Sequence, residues 1–298
     1  MQANLPFSPA ELERRLKTAP IVIVGAKGAG GGVMGAMKLS LLLGDDPQPL
    51  EVKWKAAPAS GDGWDNSPRR EIAVYEVQKL FLDPDDYLVP PAVVRGIELD
   101  VYRAVTEHPS PNIAGTRCVY GALAVWLSNA TQPAHALDRE LFARNPRYAY
   151  HFGNLNLLHY LVNHRDARTS NFLMSTDPDN PKVFSIDNGI AFGRTLFNFF
   201  TWHFNKIRVD RLPRQSIERL RRLTRVDLDR LGVLAELRTD AEGVLRSVPP
   251  GPNLDSNQGN RVRPGIVQIG LTVTEIDAIA AHVQTLLTRI DRGNLSVF

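Results

Sequence analysis

Three polar residues, Asp166, Asn171 and Asp187, stand at spacings that suit phosphoryl transfer. That reaction leaves a protein little covalent work. One carboxylate orients the attacking hydroxyl, while an amide and a second carboxylate hold the divalent ion that bridges the phosphates. Asp166 and Asn171 lie in the string from His164 and Arg165 to Asn171, which reads H-R-D-x-x-x-x-N. Asp187 closes the apolar run Phe184-Ser185-Ile186 and is followed by Asn188-Gly189. Taken singly, Asp166 beside Arg165 reads as a surface ion pair, and Asp187-Asn188-Gly189 as a β-turn closing a hairpin. Their order and separation in one chain favour the chemical reading, with His164 and Arg165 bracing the loop.

Such a site needs a cradle for phosphates and a cation upstream. Gly30-Gly31-Gly32-Val33-Met34-Gly35 matches G-x-G-x-x-G, which alone is a dinucleotide fingerprint or a flexible turn. A dinucleotide site requires a helix directly after the glycines. Here Met37–Leu43 reads as a strand, and Gly44-Asp45-Asp46-Pro47 turns it into another, Leu50–Lys55. The expectation is a hairpin in which Gly30, Gly32 and Gly35 let backbone N–H groups approach phosphates. No Gly-Lys-Ser/Thr closes the tract, so it is not a Walker A loop. Lys53 and Lys55 alternate with Val52 and Trp54 and share one strand face. One of them should meet the phosphates and a helix carboxylate, for which Glu71 and Glu76 are both available.

The flanking elements follow from local signals. Ser8-Pro9-Ala10-Glu11 opens a short helix to about Lys17, and Ile21–Val24 is a β-branched strand leading to the glycines. Ser67-Pro68 opens a helix with Ile72, Tyr75, Val77 and Leu80 on its apolar face, ended by the acidic turn Asp83–Asp86. Leu88–Val94 and Thr116–Val125 read as strands. Beyond about residue 127 the pattern is mostly helical, with a buried helix over Asn154–Leu161 and amphipathic helices over Ser216–Leu231 and Thr274–Ile290. A small hairpin, Phe172–Met174 with Val183–Ile186, carries the two motifs at its ends, and Pro249 to Gly259 is a loop. The expected fold is α+β and bilobal: a helical extension over 1–20, a β-rich lobe over 21–127 and a mainly helical lobe over 128–298.

Composition adds bounds. The 298 residues are 43% hydrophobic and 22% charged, which describes an ordinary globular protein with a sizeable core. A net charge of +3 does not imply nucleic acid. Basic residues cluster from Arg208 to Arg214 and from Arg219 to Arg225. With Glu218, Asp227 and Asp229 interleaved, they read as a solvated helix face or as a patch for an anionic ligand. Cys118 is the only cysteine, which excludes an intrachain disulfide and Cys-based zinc sites. That cysteine usage, and an N-terminus without a basic-then-apolar signal pattern, favour a reducing cytoplasm. No apolar run approaches the length needed to span a bilayer.

The order of Gly-rich hairpin, strand lysine, helix glutamate, H-R-D-x-x-x-x-N and D-x-G is similar to the protein-kinase superfamily. The N-terminal half resembles its atypical branches, the secretory-pathway (Golgi casein kinase-like) kinases and, more distantly, the phosphoinositide lipid kinases. Arg70-Glu71 through Leu80, running into Val89-Pro90-Pro91, resembles the helix and Val-Pro-Pro segment of the secretory kinases. The likeness implies Glu71 as the ion-pair partner, Lys55 as the phosphate lysine with Lys53 second, and Asp166 as the base that orients the acceptor. It also implies ATP as nucleotide and Asn171 and Asp187 as ligands of Mg²⁺ or Mn²⁺. Cys118-Val119-Tyr120-Gly121 resembles a strand of those kinases but lacks their disulfide partners.

The chain departs from the family pattern in several places. Asn188 stands where Phe is usual, and no Ala-Pro-Glu follows. Gly193–Leu212 holds Thr195 and Thr201 but no evident phosphorylated loop, and the aromatic block Phe197–Trp202 reads as packed against the lobe. The function implied is ATP- and metal-dependent transfer of a phosphoryl group to a hydroxyl of a protein, sugar or small molecule. Three alternatives stand beside it. One is a pseudokinase-like binding module, marked by a broken Lys55–Glu71 pair or a plugged cleft. Another is AMP transfer, using Lys27, Lys38 or Arg69 on the γ-phosphate. The last is a Rossmann oxidoreductase.

Overall fold

The computed structural model describes residues 3–29, 35–59, 61–63, 67–193 and 199–298. Gly30 and Gly32 of the glycine tract, and Thr195 and Phe197 after the second motif, lie outside the described residues.

The first part of the chain is strand-rich. It runs α1 (Pro9–Thr18), β1 (Ile21–Gly28), β2 (Met37–Leu43), β3 (Leu50–Ala56), α2 (Pro68–Gln78), β4 (Ala92–Glu98), α3 (Leu99–Tyr102) and β5 (Cys118–Val125). The strands form one antiparallel sheet in the order β1-β2-β3-β5-β4. Period-2 alternation sends Leu39, Leu41, Val52, Trp54 and Leu123 into a core closed by Leu12 and Leu16 of α1. The Trp54 indole N–H donates to Tyr102 Oη at 3.0 Å. Ser8 caps α1 by accepting from Glu11 N, and Arg95 of β4 donates to the carbonyls of Leu16 and Ala19 at the other end, at 2.7 and 2.6 Å. Burial pushes the Arg95 pKa down to about 10. Because β2 is an antiparallel strand, no helix follows the glycines as a Rossmann site requires.

The end of α2 and the start of β4 differ from the sequence expectation. Ser67 stands at the N-cap of α2 without a capping bond from its side chain, and α2 ends at Gln78, short of Leu80. The strand expected from Leu88 begins only at Ala92. Gln78, fully buried, explains this: its amide oxygen accepts from Leu88 N at 2.7 Å and Val89 N at 2.9 Å, and its Nε2 donates to Val89 O at 3.0 Å. A side chain thus takes the backbone groups that a sheet would use, and Pro90 and Pro91 offer no N–H.

The remainder is helix-rich, with β6 (Ala130–Thr131), α4 (Arg139–Arg144), α5 (Pro146–Leu161), β7 (Phe172–Ser175), β8 (Val183–Ser185), α6 (Phe199–Ile207), β9 (Arg211–Leu212), α7 (Arg214–Arg221) and α8 (Arg225–Asp229). Then come β10 (Ala235–Thr239), β11 (Leu245–Val248), β12 (Asn260–Arg263), β13 (Ile266–Ile269), α9 (Val273–Asp291) and β14 (Ser296–Val297). Helix α5 starts ahead of Asn154 because Asn145 caps it, accepting from Tyr148 N at 3.0 Å. The single helix expected over Ser216–Leu231 is two, since Thr224 forms a new capping box with Asp227. The box that opens α9 is Thr272 with Glu275, two residues before Thr274. A four-stranded sheet, β11-β10-β13-β12, interrupts this helix-rich part where the sequence pattern suggested no strands. The architecture is therefore mixed, strand-rich and then helix-rich.

Candidate active site

A cleft of about 270 Å³ opens under the sheet face opposite the Trp54 core, with Lys55, Glu71, Ala122, Ala124, Leu173 and Asp187 among its walls. The pleat that buries Val52 and Trp54 turns Lys53 and Lys55 into this cleft. Lys55 Nζ lies 3.1 Å from Glu71 Oε1 and also pairs with Asp187 Oδ1, while Lys53 Nζ lies 3.3 Å from the same Asp187 oxygen. Glu76 pairs with Lys79 instead, at 2.8 Å. Of the two acids on α2, Glu71 is the one brought to the lysines. Its second oxygen accepts from the backbone N–H of Asn188 at 3.0 Å, so α2 is fastened to the turn that follows Asp187.

The charges hold one another. Burial alone would lower the Lys55 pKa, but the Glu71 and Asp187 carboxylates outweigh it and keep the ammonium above its ordinary value. Burial would raise Glu71 and Asp187; the lysines reverse the sign and hold both carboxyls below the usual range. Asp187 has φ +62°, a left-handed conformation that costs a non-glycine residue energy and that Asp tolerates better than most.

Asp166 is 4% exposed. Arg168 pairs with both of its carboxylate oxygens, Nε lying 2.5 Å from Oδ1 and Nη2 donating to Oδ2 at 2.6 Å, and this pairing raises the guanidinium pKa. Asn171 Nδ2 donates to Asp166 O at 2.8 Å and to Asp166 Oδ2 at 3.2 Å, and its amide oxygen has the Ser170 hydroxyl beside it at 3.5 Å. Ile186 N donates to Asn171 O at 3.0 Å and so ties the loop to the strand that delivers Asp187.

Behind these residues lies a buried polar chain. The His164 ring stacks on His159 with centroids 4.6 Å apart. His159 Nε2 meets Ser185 Oγ at 2.9 Å, and the Ser185 hydroxyl donates to Asn188 Oδ1 at 2.9 Å. Burial pushes both imidazole pKa values down, so both rings are neutral at pH 7. Asn188 thus fills the place of the usual Phe as a buried hydrogen-bonding link. Arg165 is half-buried, its Nε donating to Asn163 Oδ1 at 2.6 Å.

Other residues singled out in the sequence stand apart. Gly35 has φ +63° and open space around its Cα, so backbone conformation is its constraint. Arg69 is committed to Asp62 and Glu275. Lys27 and Lys38 face each other across β1 and β2, and Lys38 opposes Lys53. Sequence reasoning assigned no part to Arg168, Ser185 or Gln78. The position of Arg168, two residues after Asp166 in the same string, was the one signal available.

No protein-family model matches the chain, and no curated protein matches it. Solved structures do. A hydra Fam20 determined with sugar superposes with a TM-score of 0.59 at 14% identity, covering 98% of this chain and 92% of that one. The chain has the fold of the atypical protein-kinase-like superfamily. Golgi casein kinase gives a TM-score of 0.55 at 13% identity over 97% of this chain and 79% of its own. Its form with Mn/ADP bound gives 0.53 at 13% identity over 95% and 75%. Among the described residues, no helix is long and apolar enough to cross a membrane.

Proposed function

We propose that this chain is an atypical kinase-like phosphotransferase that binds ATP with Mg²⁺ or Mn²⁺ and passes the γ-phosphoryl group to a hydroxyl. In this reading residues 21–127 form one lobe, residues 128–298 the other, and residues 1–20 an extension packed on the first. The observation that carries it is the intact set Lys55–Glu71–Asp187 on the wall of the cleft. Apolar walls at Ala122, Ala124 and Leu173 suit a purine, and Golgi casein kinase, of the same fold, is known with Mn/ADP bound. An intact lysine pair and a cleft of this volume disfavour a plugged binding module.

The metal fits the donors present. Asp187 and the amide oxygen of Asn171 are hard oxygen donors, and among the described residues no group of three His, Cys, Asp or Glu gathers here or elsewhere, so these two would hold the ion together with the phosphates. Mg²⁺ and Mn²⁺ take most of their remaining ligands from phosphates and water, which suits a two-residue site. Such an ion supplies charge neutralisation at the phosphates. Lys55, with Lys53 second, does the same from the protein side, as an ammonium fixed in place before the reaction. Gly30, Gly32 and Gly35, between β1 and β2 in the sequence, would cover the phosphates in this reading.

Asp166 orients the acceptor: the hydroxyl hydrogen passes to its carboxylate as the oxygen attacks the γ-phosphorus, the bond to ADP breaks, and the proton is then released to solvent. Both Asp166 oxygens are paired with Arg168. The γ-phosphate offers that guanidinium a stronger anionic partner, and its transfer frees Asp166 for the hydroxyl. The acceptor is a protein, sugar or other small molecule; the Fam20 likeness, to a structure with sugar, puts sugars first among those to test.

Thermal-shift titration with ATP, with and without Mg²⁺ or Mn²⁺, tests the reading on wild type and Asp187→Ala. A ligand at a hundredfold excess over its Kd adds about 2.7 kcal/mol to stability. A metal-dependent gain lost in Asp187→Ala is the expected result; no gain with either metal overturns ATP-dependent catalysis. A second reading, AMP transfer with the nucleotide reversed, rests on Lys27 and Lys38, which continue the row from Lys53 across β1 to β3, although Glu51 already pairs with Lys38 at 3.1 Å. ATP labelled at the α- or γ-phosphate separates the two, since only AMP transfer retains the α label on the acceptor.

A further inference from the structure

The basic segment at Arg208–Arg214 does not form a helix face. Arg208 and Arg211, with Arg139 of α4, line a groove of about 530 Å³ between α4 and the chain linking α6 to β9. Among the described residues, none of the three arginines makes an ion pair. Each leans on a neutral acceptor: Arg211 Nη2 donates to Phe142 O at 3.0 Å, Arg139 Nη2 approaches Lys206 O at 3.4 Å, and Arg208 Nη1 approaches Asn205 Oδ1 at 3.5 Å. The Arg211 guanidinium also lies 5.2 Å from the ring centres of both Phe142 and Phe298, which fixes its plane. Three positive groups face one acid, Asp210, over a floor of Leu137, Phe142 and Val209.

A second basic groove shows why this matters. Lys79, Arg219, Arg222 and Arg230 line about 580 Å³ beside α2, yet Lys79 is paired with Glu13 and Glu76, and Arg219 with Asp83. That groove is largely neutralised from within. The groove at α4 is not: its three cations outnumber the one acid, and like charges so gathered repel unless an anion joins them.

We propose that the α4 groove is a binding site for a phosphate monoester. The guanidiniums take the dianionic head through paired N–H···O bonds, and the apolar floor takes the organic body. The proposal does not depend on the reading of the cleft, and the two fail separately.

Calorimetric titration of the full chain with phenyl phosphate and, in a second arm, inorganic phosphate tests it. Saturable binding of phenyl phosphate is expected, with Kd raised about tenfold or more in Arg139→Gln/Arg208→Gln, the loss of two charge-assisted contacts. Both residues are exposed, so the variant should fold as wild type does. Arg139→Lys/Arg208→Lys, which keeps charge but not the planar fork, should fall between. Lys55→Met, which removes a cation from the cleft, should leave this Kd within about twofold. Tighter binding of phenyl phosphate than of inorganic phosphate assigns the site to organic esters; equal binding of the two overturns the role of the floor. Absence of saturable binding at millimolar concentration, or loss in Lys55→Met with retention in the arginine variant, overturns the site.

Discussion

Glu71 serves two partners with its two oxygens, the Lys55 ammonium and the Asn188 N–H. Glu71→Gln keeps the shape and removes the charge that offsets Lys55. A charge-assisted contact is worth about 1.5–3 kcal/mol, so ATP affinity should fall roughly tenfold to a hundredfold by calorimetry. Glu76→Gln, on the same helix but paired with Lys79, should leave it unchanged. The sequence places Lys53 and Lys55 on one face because a strand repeats every two residues. It cannot choose between Glu71 and Glu76 by period, since both lie on α2 and packing decides which one turns inward. The Arg168 grip on Asp166 and the Ser185–Asn188 link are invisible for the same reason: neither the spacing nor the residue types say where those side chains point. His151 gives a second test at this scale. It is 5% exposed, and burial, aided by nearby Lys182, lowers its pKa to about 4. Between pH 6.5 and 4 the unfolded chain therefore binds the extra proton, and stability falls as pH falls through that window. A tenfold difference in proton affinity between the folded and unfolded chain is worth about 1.4 kcal/mol. His151→Gln should lose less stability between pH 7 and 4 than wild type, by about 3 kcal/mol in urea titrations.

At the scale of elements, the junction between α2 and β4 rests on Gln78. Its amide satisfies three backbone groups in a stretch interrupted by two prolines, and that stretch carries Val89 and Pro90 along the cleft wall. Gln78→Ala would strand two buried N–H groups and one carbonyl, a loss of about 2–4 kcal/mol in urea denaturation, with weaker ATP binding as the wall relaxes. Gln78→Glu, which keeps an acceptor for the two N–H groups but sets a second oxygen against the Val89 carbonyl and buries a charge, should not recover the loss near neutral pH. The same junction shows what a sequence hides. β1, β2, β3 and the start of α2 are written locally, in the β-branched run of β1, the apolar runs and alternation of β2 and β3, and Ser67-Pro68. The late start of β4 depends on Gln78, a side chain ten residues before the Leu88 N–H that it takes. β10 to β13 escape because strands of four or five residues, with Glu236, Arg238 and Arg261 among them, carry too short an alternation to outweigh the helical patterns on either side. The hairpin of β7 and β8 is equally short, yet it is legible because a Pro-bounded turn, Asp177 to Pro181, separates two apolar runs.

At the scale of the molecule, the strand-rich and helix-rich parts are joined at Arg69. Two residues before Glu71, it meets both oxygens of Glu275 at 2.9–3.0 Å and Asp62 at 2.9 Å, with 8% of its side chain exposed. Glu275 is also the partner of the N-cap Thr272 in the capping box of α9, accepting from Thr272 N at 2.9 Å. One carboxylate thus starts the last long helix and anchors the helix that bears Glu71. Breaking a buried pair from one side costs about 3–5 kcal/mol, because the partner is left charged and uncompensated. Arg69→Met should lose that much in urea denaturation and should weaken ATP binding through α2. Gly259 makes the joint testable from its other side. A Cβ there would lie 2.5 Å from Arg69 Cζ. A free arginine would swing away at little cost, but this one is held by two acids and cannot. Gly259→Ala should therefore destabilise the wild type by about 1–3 kcal/mol, the usual range for overpacking, and should do much less in the Arg69→Met background. A double-mutant cycle in which the two losses simply add would show that the guanidinium is not what fixes α2 against the rest of the chain.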